Sequence, residues 1–324
     1  MNLASLLDNL TSPALLFFML GILAVRLKSD LEIPANSSKF ISLYLLFAIG
    51  FNGGRELAHS QFSLEIIWAV LFGVLTACLI PVYTFFLLRR KLSTENAGAI
   101  AAAYGSISAV TFVTAVSFLE LQQLPFSGHM VAIMALMEAP AIVVGVILIQ
   151  KFGAKDSCPQ KLGSLVGHSF TNGSVVMILG SLIIGWLASE KQAQGIAPFT
   201  TDIFKGFLAI FLLDMGIISG RKLHDFFRNG WFTAAFAVVI PLVNGTLVAW
   251  ASGLVTANPG DRFMLAILAA SASYIAVPAA MKIAVPKANP GLYLPMALAV
   301  TFPVNITLGM PLYLCVIQLC GKLG

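Results

Sequence analysis

Apolar runs long enough to cross a bilayer recur along this 324-residue chain, separated by short polar stretches. About 20 helical residues cover roughly 30 Å of hydrocarbon, at about 1.5 Å per residue. Ten such runs predict ten membrane helices, over residues 13–27, 39–58, 64–88, 95–120, 129–151, 173–189, 201–221, 231–256, 261–285 and 291–319. The first is short and has no basic leader followed by a small-residue cleavage site, so it reads as a retained helix. Residues 152–172, with Gly, Ser, Lys and Pro, read as a linker between two halves, 1–151 and 173–324.

The halves repeat each other. Gly50 to Leu57 reads GFNGGREL and Gly216 to Leu223 reads GIISGRKL, while Ser106-Ile107-Ser108 recurs as Ser271-Ala272-Ser273. Leu20-Gly21 recurs as Leu179-Gly180, and Met134-Ala135-Leu136 with Pro140 recurs as Met296-Ala297-Leu298 with Pro303. Each short apolar word is weak evidence alone, but the matches keep a common order. Five spans per half is an odd number, so the second half enters the bilayer from the opposite side. The expected fold is therefore an all-α integral membrane protein of ten transmembrane helices in two inverted five-helix repeats.

Composition agrees with lipid surroundings. Hydrophobic residues make up 58% of the chain and charged residues 10%, against roughly 25% charged in soluble domains. The net charge of +5 is explained by where the basic residues fall rather than by nucleic acid. With the N-terminus outside, fourteen of the nineteen Lys and Arg residues lie at the cytoplasmic ends of the predicted spans or in the cytoplasmic connections. Both termini are then expected to face out from the plasma (inner) membrane. Lys205 is expected inside span 7. The four cysteines and four histidines show no metal-ligand spacing, and Trp68, Trp186, Trp231 and Trp250 read as interface anchors. There is no Walker A loop, GxSxG elbow or dinucleotide fingerprint, which disfavours an ATP-driven pump and an enzyme.

Candidate chemistry lies in spans 4 and 9. Gly105, Ser106, Ser108 and Thr111 in one, and Ser271, Ser273 and Tyr274 followed by Pro278 in the other, mark places where a helix can open. Paired broken helices at equivalent repeat positions are how secondary transporters build a mid-bilayer site. Each break exposes a half-helix N-terminus, which favours a small anion. The same small residues also serve close helix packing, the competing explanation. Two carboxylates fall within predicted spans, Glu138 and Asp214. Each costs roughly 2.5–3.5 kcal/mol or more at a helix centre unless it meets a partner or water. Hard oxygen donors suit Na⁺, so Glu138 with Thr111, Thr301 and Asn305 form a candidate cation set, with Asp214 a weaker candidate. The competing explanations are a protonated Glu138 bonded to a broken helix, a structural partner such as Lys205 for Asp214, and interhelical bonding for Asn52 and Asn305. Arg55 and Arg221 read as snorkelling anchors.

Taken together, LLDNLTSPALLFFMLGILA at the start, FNGGREL, AAYGSISAVTFVTAVSFLE and MEAPAIVVG resemble the cyanobacterial sodium-dependent bicarbonate permeases over essentially the whole chain. The resemblance implies a Na⁺/HCO₃⁻ symporter of the inorganic-carbon-concentrating system, assembled as a homotrimer in membrane lipid. It implies regulation by a cytoplasmic trimeric PII-like protein that responds to adenine nucleotides. It places the anion where the two broken helices cross, here Gly105 to Thr111 and Ser271 to Ala276. It also implies a moving core of spans 3–5 and 8–10 on a scaffold of spans 1, 2, 6 and 7. The linker is shorter here than relatives often have, which sets regulation through that segment apart. A sodium/proton antiporter, a sodium-coupled organic-anion carrier and a membrane receptor for a soluble regulator remain as competing functions.

Overall fold

The computed structural model describes residues 12–60, 63–154, 167, 171–227 and 230–321. All regular structure among them is helical. In chain order the helices are α1 (Pro13–Arg26), α2 (Ala35–His59), α3 (Leu64–Leu88), α4 (Thr94–Gly105), α5 (Ala109–Leu121), α6 (His129–Phe152) and α7 (Gly173–Leu187). Then follow α8 (Glu190–Ala197), α9 (Phe204–Phe227), α10 (Trp231–Ala251), α11 (Pro259–Ala270) and α12 (Ala276–Ala284). The last crossing is one helical run over 290–321: α13 (Pro290–Pro295), α14 (Phe302–Val304) and α15 (Met310–Gly321), joined by π turns Met296–Thr301 and Asn305–Gly309. Most of the linker expected at 152–172, and both termini, lie outside the described residues.

Six helices among the described residues are long and apolar enough to cross a membrane, rather than the ten expected. The other four expected spans fall short for separate reasons. The apolar stretches Leu15–Arg26 and Gly173–Leu187 are short, and Ala35–His59 is long but mixes Asn, Ser, Lys, Arg and Glu into its length. The ninth is interrupted between α11 and α12. One further element was absent from the pattern reading: α8 and the π turn Pro198–Asp202 form a short amphipathic segment where a plain connection was expected. Its signal was the capping box, in which Ser189 and Gln192 bond each other's backbone N–H groups.

Packing divides the helices into pairs and clusters. α2 lies along α7, and α9 lies along α1. These contacts explain the repeated glycines. A Cβ on Gly54 would fall 2.0 Å from the Leu182 carbonyl oxygen, and one on Gly216 would fall 2.1 Å from the Phe18 carbonyl oxygen. Small residues four apart let two backbones approach this closely, and van der Waals contact then holds them together in lipid. The contact register differs by one residue from the word match. Gly21 faces Gly216, and its counterpart facing Gly50 is Ser181, whereas nothing lies within 4 Å of a Cβ on Gly180. Gly54→Val is expected to destabilise the α2–α7 pair by about 1–3 kcal/mol, read as a lower thermal unfolding midpoint in detergent; an unchanged midpoint would reject this packing.

The remaining helices form two clusters of matching make-up: α3, α4 and α6, and α10, α11 and α15. They meet through the interrupted crossings, with α11 touching both α3 and α5. Proline sits inside a helix of each cluster, Pro81 in α3 and Pro241 in α10. A proline has no N–H and so frees the carbonyl four residues earlier. The Thr301 hydroxyl donates to the freed Ala237 carbonyl at 2.8 Å. One end of the bundle gathers basic side chains: Arg89 and Lys151 lie over the Phe152 ring at 4.8 and 5.7 Å, and Arg221 pairs with Glu32 at 3.6 Å. At the other end Arg55 pairs with Glu190 at 2.5 Å and Lys205 with Glu120 at 3.1 Å. Lys205, in the first turn of α9, is exposed, and its ion pair is with Glu120 rather than with Asp214.

Candidate functional site

Both interruptions fall where small hydroxyl residues predicted them. α4 stops at Gly105 and α5 begins at Ala109; α11 stops at Ala270 and α12 begins at Ala276. Ser106 and Ser271, the residues after each stop, are both extended, so each chain leaves its helix in the same way. The two breaks then bond each other. The Ser273 N–H donates to the Ala103 carbonyl at 2.8 Å, and the Ser108 N–H donates to Ser271 Oγ at 3.0 Å. Ser271 Oγ in turn donates to the Leu268 carbonyl at 2.9 Å. Backbone opened at membrane depth is thus largely paired across the crossing, as the absence of water in hydrocarbon demands.

What stays open is the amide end of each second half-helix. The first N–H groups of a helix have no intrahelical acceptor. Ser108 Oγ accepts from the Thr111 N–H at 3.2 Å and Ser273 Oγ from the Val277 N–H at 3.3 Å. Ala109, Val110 and Ala276 are left with amides that no carbonyl of their own helix can accept from. Ala109 and Ala276 line the same small pocket, of about 20 Å³, together with Ser108, Ser273, Tyr274 and Glu138. Such a volume holds one water-sized group. Glu138 is 5% exposed, and among the described residues its Oε1 has no hydrogen-bond partner. Glu138, Ile275 and Ala276 also border a larger cavity of about 270 Å³, with Lys39 and Asn172 on its far wall.

The other predicted residues separate into groups. Ser106 is fully buried beside the crossing with its hydroxyl unpartnered among the described residues. Gly105 is pressed against α3, where a Cβ would strike the Pro81 ring 2.1 Å away. Thr301 bonds the Tyr104 hydroxyl at 2.7 Å and the Ala237 carbonyl, and the Asn305 amide nitrogen donates to the Ala270 carbonyl at 2.8 Å. These two brace the crossing from the last helical run and are absent from the pocket that holds Glu138. Thr111 is 1% exposed in the first turn of α5. Asp214 accepts from Ser38 and borders a separate cavity of about 530 Å³ with Arg221, Tyr274 and Ile275. Asn52 donates to the Thr200 carbonyl at 3.1 Å, an interhelical bond.

Both larger cavities that reach the crossing open among residues of the basic end. At the opposite end a cavity of about 560 Å³ lies between α2, α5 and the start of α9, lined by Asn52, Glu56, Glu120 and Lys205 rather than by the crossing. Sequence reasoning had no signal for Lys39 and Asn172, because a cavity wall made by distant spans leaves no local pattern.

A sequence profile of the Na⁺-dependent bicarbonate transporter superfamily matches residues 13–318, and the chain belongs to that superfamily. A search of curated proteins returns no match.

Proposed function

We propose that this member of the superfamily is a symporter that imports HCO₃⁻ with Na⁺ by alternating access. The observation that carries the reading is the convergence of two half-helix N-termini and an unpartnered buried carboxylate on one pocket. Amide N–H groups of Ala109 and Ala276, with Ser108, Ser273 and Tyr274 of the pocket lining, face the anion, while Glu138 and Thr111 face the cation; Ser106 and Ser271, outside that lining, shape the crossing. Thr301 and Asn305 hold the crossing in shape. Asp214 attracts cations in the adjoining cavity.

In this reading the chain crosses the plasma (inner) membrane ten times as two inverted halves, with both termini outside and the basic end in the cytoplasm. Two matched pairings support the inversion: α2 on α7, and α9 on α1, each with interlocked glycines. The two clusters move together as an elevator against those pairs. In the present conformation the crossing opens toward the basic end, a release state. The homotrimer and the PII-like partner follow from the resemblance alone; the exposed apolar faces of α1 and α7, including Phe17, Leu20, Ile184 and Trp186, offer surface for lipid or a neighbouring copy.

Energetics require the coupling. An anion entering a cell at about −100 mV works against roughly 2.3 kcal/mol, and each tenfold accumulation adds about 1.4 kcal/mol. One Na⁺ per anion cancels the charge and makes the two affinities reciprocal. Labelled bicarbonate uptake into proteoliposomes is expected to rise with graded external Na⁺ and to vanish without it. Uptake independent of Na⁺ would reject the mechanism, and Na⁺-driven proton movement with no bicarbonate uptake would identify an antiporter instead.

A further inference from the structure

Tyr313 sits in a slot made for it. Beneath its ring is Gly245 of α10, where a Cβ would lie 2.3 Å from the ring, and beside its hydroxyl is Gly309, where a Cβ would lie 2.9 Å from the oxygen. Any side chain at either place displaces the tyrosine. The hydroxyl is fully buried and stands 2.9 Å from Asn305 Oδ1 and 3.1 Å from the Pro241 carbonyl, two acceptors sharing one proton. Asn305, also fully buried, reaches the other way and donates from Nδ2 to the Ala270 carbonyl at 2.8 Å.

That order of donors has a single consequence. A side-chain amide can point either way, and its orientation follows from its hydrogen-bond partners. With Tyr313 donating to Oδ1, Nδ2 must face Ala270; reversed, Oδ1 would meet the Ala270 oxygen, two acceptors at bonding distance with no proton between them. Ala270 is the last residue of α11, directly before the break. From there Ser271 receives the Ser108 N–H and Ser273 donates to Ala103. The π turn Asn305–Gly309 is what brings residue 305 and residue 313 onto this common line.

We infer that Tyr313 is a positioning residue for the transport site: by fixing the Asn305 amide it sets the end of α11 and, through it, the crossing of the two broken helices. It acts through Asn305 and touches no substrate. The inference rests on the reading that the anion is held at this crossing, and its test separates the two.

Tyr313→Phe, Asn305→Asp and the double variant are compared in full-length protein. Net hydrogen-bond contributions correspond to about three- to tenfold in an equilibrium. Tyr313→Phe is expected to raise the bicarbonate concentration for half-maximal uptake by about that factor with maximal rate and yield of folded protein kept, and Asn305→Asp by more, because its carboxylate has no N–H to give the Ala270 carbonyl. The double variant should be no worse than Asn305→Asp alone, because both break one relay. In parallel, hydrogen exchange in detergent should speed up at the Ser273 and Ser108 amides in Tyr313→Phe while distant helices keep wild-type protection. Wild-type protein that moves no bicarbonate would sink the functional reading, and the exchange measurement would still decide the relay. Unchanged exchange at both amides, or effects that multiply in the double variant, or a loss confined to protein yield, would overturn it.

Discussion

Glu138→Ala is expected to remove Na⁺-driven bicarbonate uptake, lowering it by on the order of 100-fold or more at low millimolar Na⁺. Among the described residues the carboxylate is the one acidic group bordering the pocket at the crossing. Two unit charges about 4 Å apart attract by about 4 kcal/mol at an effective dielectric constant near 20, about a thousandfold in affinity. Part of that returns as water enters the space left by the side chain. Glu138→Gln keeps the shape and loses the charge, so it should behave like the alanine variant if the role is electrostatic. Uptake at graded Na⁺ in proteoliposomes checks this, with Na⁺-induced thermal stabilisation as a binding readout that needs no transport. Retained Na⁺ dependence in both variants would remove Glu138 from the cation site.

Gly105→Ala is the second large effect. Its Cβ would lie 2.1 and 2.4 Å from Cγ and Cδ of Pro81, a ring that can change pucker but is bonded to the α3 backbone at both ends and cannot swing away. α4 must therefore move away from α3, carrying the end of the half-helix with it. Overpacking of this kind costs about 1–3 kcal/mol of stability. A preorganised site displaced by about 1 Å loses on the order of 100-fold in rate. The expected outcome is protein that still folds and inserts, with a lowered melting midpoint and uptake reduced about 10- to 100-fold. Gly180→Ala supplies the control, since its Cβ meets nothing within 4 Å: uptake should be unchanged and the melting midpoint kept or slightly raised, alanine being the better helix former. Equal behaviour of the two alanine variants would contradict the packing described for the crossing.

The sequence carried those features that are written locally. Ser108 is the N-cap of α5, and Ser273, two residues before the N-cap Ile275 of α12, reaches the Val277 N–H, because a hydroxyl that accepts a backbone N–H is the chemistry such an end needs. The breaks were legible for that reason, and Glu138 was legible because a carboxylate in an apolar run is costly wherever it points. Partner choice was not legible. Thr301 and Asn305 look like oxygen donors for a cation in sequence, and only the fold shows their groups directed to the Ala237 and Ala270 carbonyls. The repeated glycines were visible as words, but their meaning as contacts of α2 with α7 and α1 with α9 depends on distances between spans. The shift from Gly180 to Ser181 shows the limit: one small residue replaces another in a packing seam, and letter matching slides by a position. The segment before α9 was not legible either: α8 with its π turn occupies residues read mostly as a connection, because an apolar run does not tell where a helix begins.

The proposed mechanism has an anion resting between the amide ends of α5 and α12 with Na⁺ beside Glu138. Single-particle cryo-electron microscopy of the full-length protein in sodium bicarbonate addresses it directly, against a parallel sample in potassium chloride. The predicted result is sodium-bicarbonate-specific density within hydrogen-bonding reach of the Ala109 and Ala276 amides, and a second compact feature against the Glu138 carboxylate. Density confined to the 560 Å³ cavity near Glu120 and Lys205, or a crossing identical in both samples, would contradict it.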